Sequence, residues 1–209
     1  MRKQLIFLMT DTTRKDMVGC YGNPKMKTPN LDRLAEEGIR YENAYTCQPV
    51  CGPARSAIFT GTFPHTNGMV TNSIAMGDNV KTVGQRLSDN GIACGYIGKW
   101  HLDSPYKPYV DTYNNRGKVA WNEWCPPERR HGFEYWTAYG TYDYHLKPMY
   151  WDTTAPRDSF YYVNQWGPAY EADKAIEYIQ TQKENKQPFA LVVSMNPPHT
   201  GYELVPDKY

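Results

Sequence analysis

The stretch Leu5-Ile6-Phe7-Leu8-Met9-Thr10-Asp11 decides how the chain is read. Its first five residues form a short, continuously apolar run, as expected for a central strand covered on both faces. It ends in Thr10-Asp11-Thr12-Thr13, so polar chemistry would sit at the strand's C-terminal end. Two later segments read the same way: Ile92 to Ile97, and Phe189-Ala190-Leu191-Val192-Val193, which Pro188 opens. Helical signals lie between them. Thr28 caps a helix that starts at Pro29 and stops at Gly38, with Leu31, Leu34 and Ala35 on one face. Ile39 to Tyr45 reads as another extended piece. Pro53 to Thr60 reads as a helix with proline in its first turn and Gly61 after its end. Thr82 to Asn90 is a capped helix closing at Gly91, and a last helix begins at Gly167-Pro168 and runs roughly to Lys186. Tyr170, Ala175, Ile176 and Ile179 fall partly on one side of it. Strands alternating with helices predict an α/β fold on a largely parallel, mixed sheet flanked by helices. The stretch from Asp103 to Val163 carries many aromatics and several prolines with weak periodicity, and reads as irregular loops and short strands.

Composition narrows the function. The 209 residues hold 23 Lys plus Arg against 22 Asp plus Glu, a formal net charge of +1. No basic excess marks a nucleic-acid partner, and no block of five like charges marks a tail. A mean hydropathy of −0.73 and the lack of an 18-residue apolar run argue against a membrane span, so a soluble protein is expected. Met1-Arg2-Lys3-Gln4 is a short positive start, but the apolar run after it has no small-residue cleavage site, so it is read as a strand and not a signal peptide. The compartment stays open; it would be the periplasm if a leader has been removed. The oligomeric state stays open as well. Five cysteines (Cys20, Cys47, Cys51, Cys94, Cys125) exclude a fully paired disulfide framework and do not form a paired zinc pattern.

In α/β sheets ligands bind outside the carboxyl ends of the strands. Asp11, the Gly98-Lys99-Trp100-His101 segment and His199 each follow on a predicted strand, which brings three sets of polar groups to one rim. The segment Pro49-Val50-Cys51-Gly52-Pro53-Ala54-Arg55 places a thiol just before a proline-initiated helix, where the dipole and free amides favour an anion. Arg55, about one turn in, can turn back toward the same point. By spacing alone the same residues are equally a buried cysteine ahead of a helix with a surface arginine.

Cys51-Gly52-Pro53-Ala54-Arg55 resembles the sulfatase signature C-x-P-[SA]-R, and Thr60-Gly61 and Pro64-His65-Thr66-Asn67-Gly68 continue it with the family's Thr-Gly and Pro-x-x-x-Gly. Gly98-Lys99-Trp100-His101 is similar to a second family motif ending in Gly-Lys-x-His. Asp11 resembles the family's strand-end aspartate, and Asn196-Pro197-Pro198-His199 its histidine after a later strand. The four occur in family order over nearly the whole chain. The resemblance implies an alkaline-phosphatase-like fold, with residues 1–209 the N-terminal part of a single catalytic domain and an aromatic-rich loop insertion at about 103–163.

It also implies a chemistry: hydrolysis of a sulfuric ester on a sulfated carbohydrate. Cys51 would be oxidised to formylglycine by a maturation enzyme, the one protein partner implied. Its hydrate is a geminal diol, one oxygen attacking sulfur and the other expelling sulfate by re-forming the aldehyde, where a serine would stall as a stable ester. A divalent cation, Ca²⁺ or alternatively Mg²⁺, would polarise the nucleophilic oxygen and offset sulfate charge, with Asp11 and residue 51 among its ligands. Arg55 and Lys99 would hold diol and sulfate oxygens. His101 would take the diol's second proton, and His199 would contact sulfate and assist the leaving alcohol.

Departures accompany the resemblance. Thr12 stands where the family often has a second acid or amide, and Cys94 where a hydroxyl is common. The family's further ligands, an Asp with a neighbouring His or Asn and another lysine, come from a segment well beyond His199, so this chain alone is expected to be inactive. Two other readings stay in view: a phosphonate monoester or phosphodiester hydrolase of the same superfamily, and a non-catalytic glycan-binding fragment. His65, His131 and His145 read as surface or structural, and Glu128-Arg129-Arg130 as a solvated corner. Tyr139, Tyr142, Tyr144, Tyr150, Trp151, Tyr161 and Tyr162 suit a sugar cleft or a loop packed with its own aromatics equally well.

Overall fold

The computed structural model describes residues 4–103 and 122–209; the positive start at residues 1–3 and part of the aromatic stretch, 104–121, lie outside the described residues. In chain order the elements are β1 (Gln4–Thr10), α1 (Pro29–Glu37), α2 (Cys51–Thr60), α3 (Pro64–Asn67), α4 (Val83–Ser88), β2 (Ala93–Lys99), β3 (Tyr135–Tyr139), β4 (Met149–Asp152), β5 (Tyr161–Tyr162), α5 (Gly167–Glu184) and β6 (Phe189–Met195). The strands form one mixed sheet in the order β1-β6-β2-β3-β4-β5. The first four in that order are parallel, and β4 and β5 add antiparallel. The described residues fall into two compact units, one within Met1–Asp11 and Cys47–Tyr209, the other Thr12–Thr46.

Strand alternation explains how the first unit is filled, because successive side chains point to opposite faces. Cys94, Tyr96, Ala190 and Val192 face one way and pack with Phe59 of α2, Trp100, Phe133 and Trp136. Ile97, Phe189, Leu191 and Val193 face the other way and pack with Ala175 and Tyr178 of α5. That is why β2 and β6 are apolar on both faces. The expectation of a central covered strand meets a different arrangement among the described residues, where β1 is the outermost of the six strands and pairs with β6. Ile6 and Leu8, opposite Leu191 and Val193, are 46% and 62% exposed because α5 does not extend over them. Phe7 and Met9, on the opposite face, do pack against the larger core.

Several local expectations hold and others shift. Helix α2 starts at Cys51, two residues before the proline, with Val50 extended at its N-cap. Gly61 takes φ 69, and its N–H closes the helix on the Ala57 carbonyl. Thr82 caps α4 in a reciprocal box with Gln85, though that helix ends at Ser88. On α5 the buried face is Glu171, Ala175 and Tyr178, while Ile176 is 53% exposed; the actual face runs through positions three and four apart. The aromatic stretch contributes β3, which extends β2 in parallel, as well as β4 and β5. Its rings bury one another: Tyr139, Tyr142, Met149, Tyr150 and Trp151 form a third core with Phe160, Tyr161 and Tyr170 packed against it. Those rings are packing, so the cleft reading is not supported for them. The corner at Glu128-Arg129-Arg130 is also corrected: Arg130 is buried, stacks on Trp136 and donates to the carbonyls of Cys125 and Thr153.

The unit Thr12–Thr46 is built differently, with no buried residue among those described. Helix α1 forms where Pro29 and Gly38 predict it, but Thr28 makes no capping bond. Its hydroxyl instead accepts from the Gly19 N–H and donates to Asp32, which also accepts from the Cys20 N–H. Ile39 to Tyr45 joins no strand, which corrects the expected extended piece. No helix among the described residues is long and apolar enough to cross a membrane.

Candidate active site

Strands β1, β6 and β2 are adjacent and parallel, so their carboxyl ends open on one rim. At that rim the Asp11 N–H continues the ladder by bonding to the Met195 carbonyl, and Lys99 is the last residue of β2. The Asp11 carboxylate receives Lys99 Nζ at 2.7 Å and Arg55 Nη2 at 3.1 Å on the same oxygen. Burial alone would raise the Asp11 pKa, but these two cations outweigh it and hold it at about 2. The Cys51 thiol stands beside this cluster, 3.9 Å from the other Asp11 oxygen and 3.8 Å from Lys99 Nζ.

Arg55 is fully enclosed, which answers the alternative of a surface arginine. Its Nη1 donates to the Lys99 carbonyl at 2.8 Å and to Ser194 Oγ at 2.7 Å, with the Tyr96 hydroxyl at 3.4 Å. Lys99 is wholly buried and its Nζ also donates to Asn196 Oδ1 at 3.0 Å. Two buried cations thus share one carboxylate. Burying a charge is expensive unless it is paired, so the surplus positive charge favours an anion at the thiol's position. The helix dipole adds to that preference, since Cys51 opens α2, although the amides of the first turn are largely engaged: Pro53 has none, and the Ala54 N–H bonds to the Val50 carbonyl. The neighbouring Gly52 N–H is taken by Asn72 Oδ1 at 2.8 Å, which fixes that end of the helix. Burial pushes the thiol pKa up, yet its hydrogen bond to His199 and the charges of Lys99 and Arg55 bring it below the ordinary value.

The two histidines differ. His199 is partly exposed, with Nδ1 3.2 Å from Asp143 Oδ1. The bond to Asp143 and the one to Cys51 raise its pKa to about 9. His101 is buried at the end of the Lys99-Trp100-His101 segment with φ 50, and its carbonyl lies against Gly52. Burial, followed by the charges of Lys99 and Arg55, lowers its pKa to about 3. One ring is therefore charged and the other neutral near neutrality. Asp11, Cys51, Arg55, Lys99 and His199 are brought together; His101 stands within electrostatic range of Lys99, Arg55 and Asp11.

Asn196, in the segment before His199, is a member of the site that no motif marks. It links Lys99 to the carbonyl of Tyr142 and to Asp143 Oδ1. Asp143 had no signal, since it lies in an aromatic stretch without period. His145 is structural: it is buried, and its Nε2–H donates to the Thr200 carbonyl, bracing the chain after His199. His131 is buried as well, while His65 stacks on Phe63. Cys94 is buried with its pKa raised to about 11 by burial, which makes it an inert thiol.

The fit to a divalent cation can be tested on donors alone. Among the described residues no three His, Cys, Asp or Glu side chains gather as a metal site. Calcium takes about six to eight oxygens, and Asp11 with residue 51 would supply two of them, so the described residues by themselves do not fit a complete shell.

A parallel α/β sheet carrying an anion-attracting helix start at its carboxyl rim defines the general class. Comparison with known proteins then makes it specific: the sulfatase family model matches residues 3–209, and the chain belongs to the sulfatase family. The endo-4-O-sulfatase of Bacteroides thetaiotaomicron is 34% identical over 209 residues, covering 92% of this chain and 40% of that protein. The crystal structure of YidJ from Bacteroides fragilis matches with a TM-score of 0.96 at 63% identity, over 100% of this chain and 46% of that one. A Bacteroides thetaiotaomicron 4S-sulf structure, from work on the metabolism of multiple glycosaminoglycans, matches with a TM-score of 0.86 at 29% identity, over 97% and 46%. The chain therefore spans less than half the length of each. The fold is that of the alkaline-phosphatase-like sulfatases.

Proposed function

We propose that the protein containing this chain hydrolyses sulfuric esters of a sulfated carbohydrate, and that residues 1–209 are the N-terminal part of its single catalytic domain, with the aromatic-rich insertion at about 103–163. The observation that carries the reading is the Cys51 thiol at the start of α2, set against two buried cations that share one carboxylate. Residue 51, once a maturation enzyme has converted its cysteine to formylglycine, supplies the nucleophilic oxygen. Arg55 and Lys99 hold the oxygens of residue 51 and of the sulfate, and stabilise charge as it develops there. Being fixed by Ser194, Asn196 and backbone carbonyls before substrate arrives, they need no reorganisation. His199, positively charged near neutrality, contacts sulfate and gives its proton to the leaving alcohol. His101, neutral, accepts a proton when sulfate departs. A divalent cation, Ca²⁺ with Mg²⁺ as the alternative, would take Asp11 and residue 51 as two of its ligands.

A glycan substrate is supported by the relatives, one named an endo-4-O-sulfatase and another solved in work on glycosaminoglycan metabolism. The test is the mass of the peptide containing residue 51, from protein made in a host with the maturation enzyme, beside turnover of aryl sulfate, phosphate and phosphonate esters. Loss of the sulfur with gain of an aldehyde and a preference for sulfate are expected. An unmodified thiol in an active preparation would refute the formylglycine reading, and preference for a phosphonate or phosphodiester would move the substrate class.

A further inference from the structure

Asp143 is the least expected member of the site. It comes from the loop after β3, and its Oδ1 lies 3.2 Å from His199 Nδ1. The same oxygen accepts from Asn196 Nδ2 at 2.9 Å, and that amide also reaches the Tyr142 carbonyl at 2.9 Å. The carboxylate is thereby held from one side while it receives the ring from the other. A carboxylate behind an imidazole fixes which nitrogen carries a proton and which way the ring faces. With Nδ1 turned to Asp143, Nε2 is the nitrogen left for the reacting atoms. A second acceptor for Nδ1, the Thr200 hydroxyl at 3.3 Å, is longer and belongs to the adjacent residue, so it holds the ring less firmly.

We propose that Asp143 is a positioning residue for proton delivery: it orients the His199 ring so that Nε2–H points at the oxygen of the departing alcohol. The inference rests on the role given to His199 above. As the oxygen of residue 51 forms its bond to sulfur, the ester S–O bond breaks and the leaving oxygen keeps the bonding electron pair. The Nε2–H bond breaks, an O–H bond forms on the alcohol, and the imidazolium becomes a neutral imidazole. Asp143 stays ionised throughout.

Removing a proton donor hurts most when the leaving group is a poor one, so the consequence shows in leaving-group dependence. The test compares Asp143→Ala, Asp143→Asn and His199→Ala with the wild type, in the protein that contains this chain, on 4-nitrophenyl sulfate and phenyl sulfate. Nitrophenolate departs without a proton; phenolate gains much from one. Asp143→Ala should lower kcat on phenyl sulfate about 10–100-fold, the usual cost of losing an orienting partner, and change 4-nitrophenyl sulfate by less than about 3-fold. Asp143→Asn, which keeps an acceptor for Nδ1–H, should recover part of the phenyl sulfate rate. Adding Asp143→Ala to His199→Ala should cost nothing more, because residues acting as one unit are not additive.

An equal loss on both esters would mean that Asp143 acts through Asn196 and Lys99, and would overturn the proposal. So would no loss on either. If His199→Ala itself showed no difference between the esters, the role given to His199 would fall first and this inference with it. If His199→Ala were selective and Asp143→Ala were not, only the positioning role would fail.

Discussion

Glu171 lies in the first half of α5, fully enclosed, with Oε1 accepting from the Tyr150 hydroxyl at 3.1 Å and the Tyr139 hydroxyl at 3.3 Å. Its other oxygen is buried and has no hydrogen-bond partner among the described residues. Burial pushes its pKa up to about 8, against hydrogen bonds from Tyr150 and Tyr139 and the charge of Arg55, all of which lower it. Because the folded value exceeds the ordinary 4.5, the folded state binds a proton that the unfolded state has released. The stability tied to that proton is fully present below pH 4.5, falls as pH rises, and is gone above about 8. The gap between 4.5 and 8, at about 1.4 kcal/mol per pH unit, amounts to roughly 5 kcal/mol. Glu171→Gln keeps the shape and one acceptor for both tyrosines but cannot ionise. It should match the wild type near pH 4.5 and be more stable by roughly 3–5 kcal/mol at pH 9. The assay is urea unfolding of both proteins at several pH values, reading the difference in midpoint. Parallel curves from pH 5 to 9 would refute the buried, protonated carboxyl.

Two other outcomes follow from the same geometry. Arg55→Ala and Lys99→Ala should each lower turnover of an aryl sulfate on the order of 10²–10³-fold, while the folded protein persists by circular dichroism; near-wild-type turnover in either would remove the charge-stabilising role. Calorimetric titration of the 209-residue chain alone with Ca²⁺ should show weak binding, and the chain should show little aryl sulfatase activity, because Asp11 and residue 51 leave most of a calcium shell to water. Tight one-to-one binding with substantial turnover would place a full ligand set inside these residues.

How much of this was legible in the sequence depended on whether the signal was local. The apolar runs at residues 5–9, 92–97 and 189–193 are strands because β-branched and large apolar side chains in a short run suit a two-sided sheet. The caps at Pro29, Gly61 and Thr82 were readable for the same reason, each being a chemistry of a few neighbouring residues. The place of β1 in the sheet was not readable. Leu5 and Leu8 are as apolar as Leu191 and Val193, and hydrophobicity alone does not say which element covers a side chain. Short strands were expected in the aromatic stretch, but the bounds of Tyr135–Tyr139 were not readable, because its burial comes from rings far away in sequence.

The candidate site shows the same division. The groups at Asp11, Cys51, Arg55, Lys99 and His199 announce themselves by motif and by position after a strand or at a helix start. The groups that hold them do not. Ser194 and Tyr96 sit inside strands, where they read as core, and only the folded sheet turns them toward Arg55. Asn196 is one residue past β6, so it arrives at the rim with Asp11 and Lys99 by sheet register alone. Asp143 reaches His199 from a loop that no periodicity marks. The candidate reacting groups were thus legible from short-range chemistry, but their electrostatic state was not. Arg55 could have been a surface cation until the fold buried it between β2 and β6, and that burial is what turns a cysteine at a helix start into a position that favours an anion.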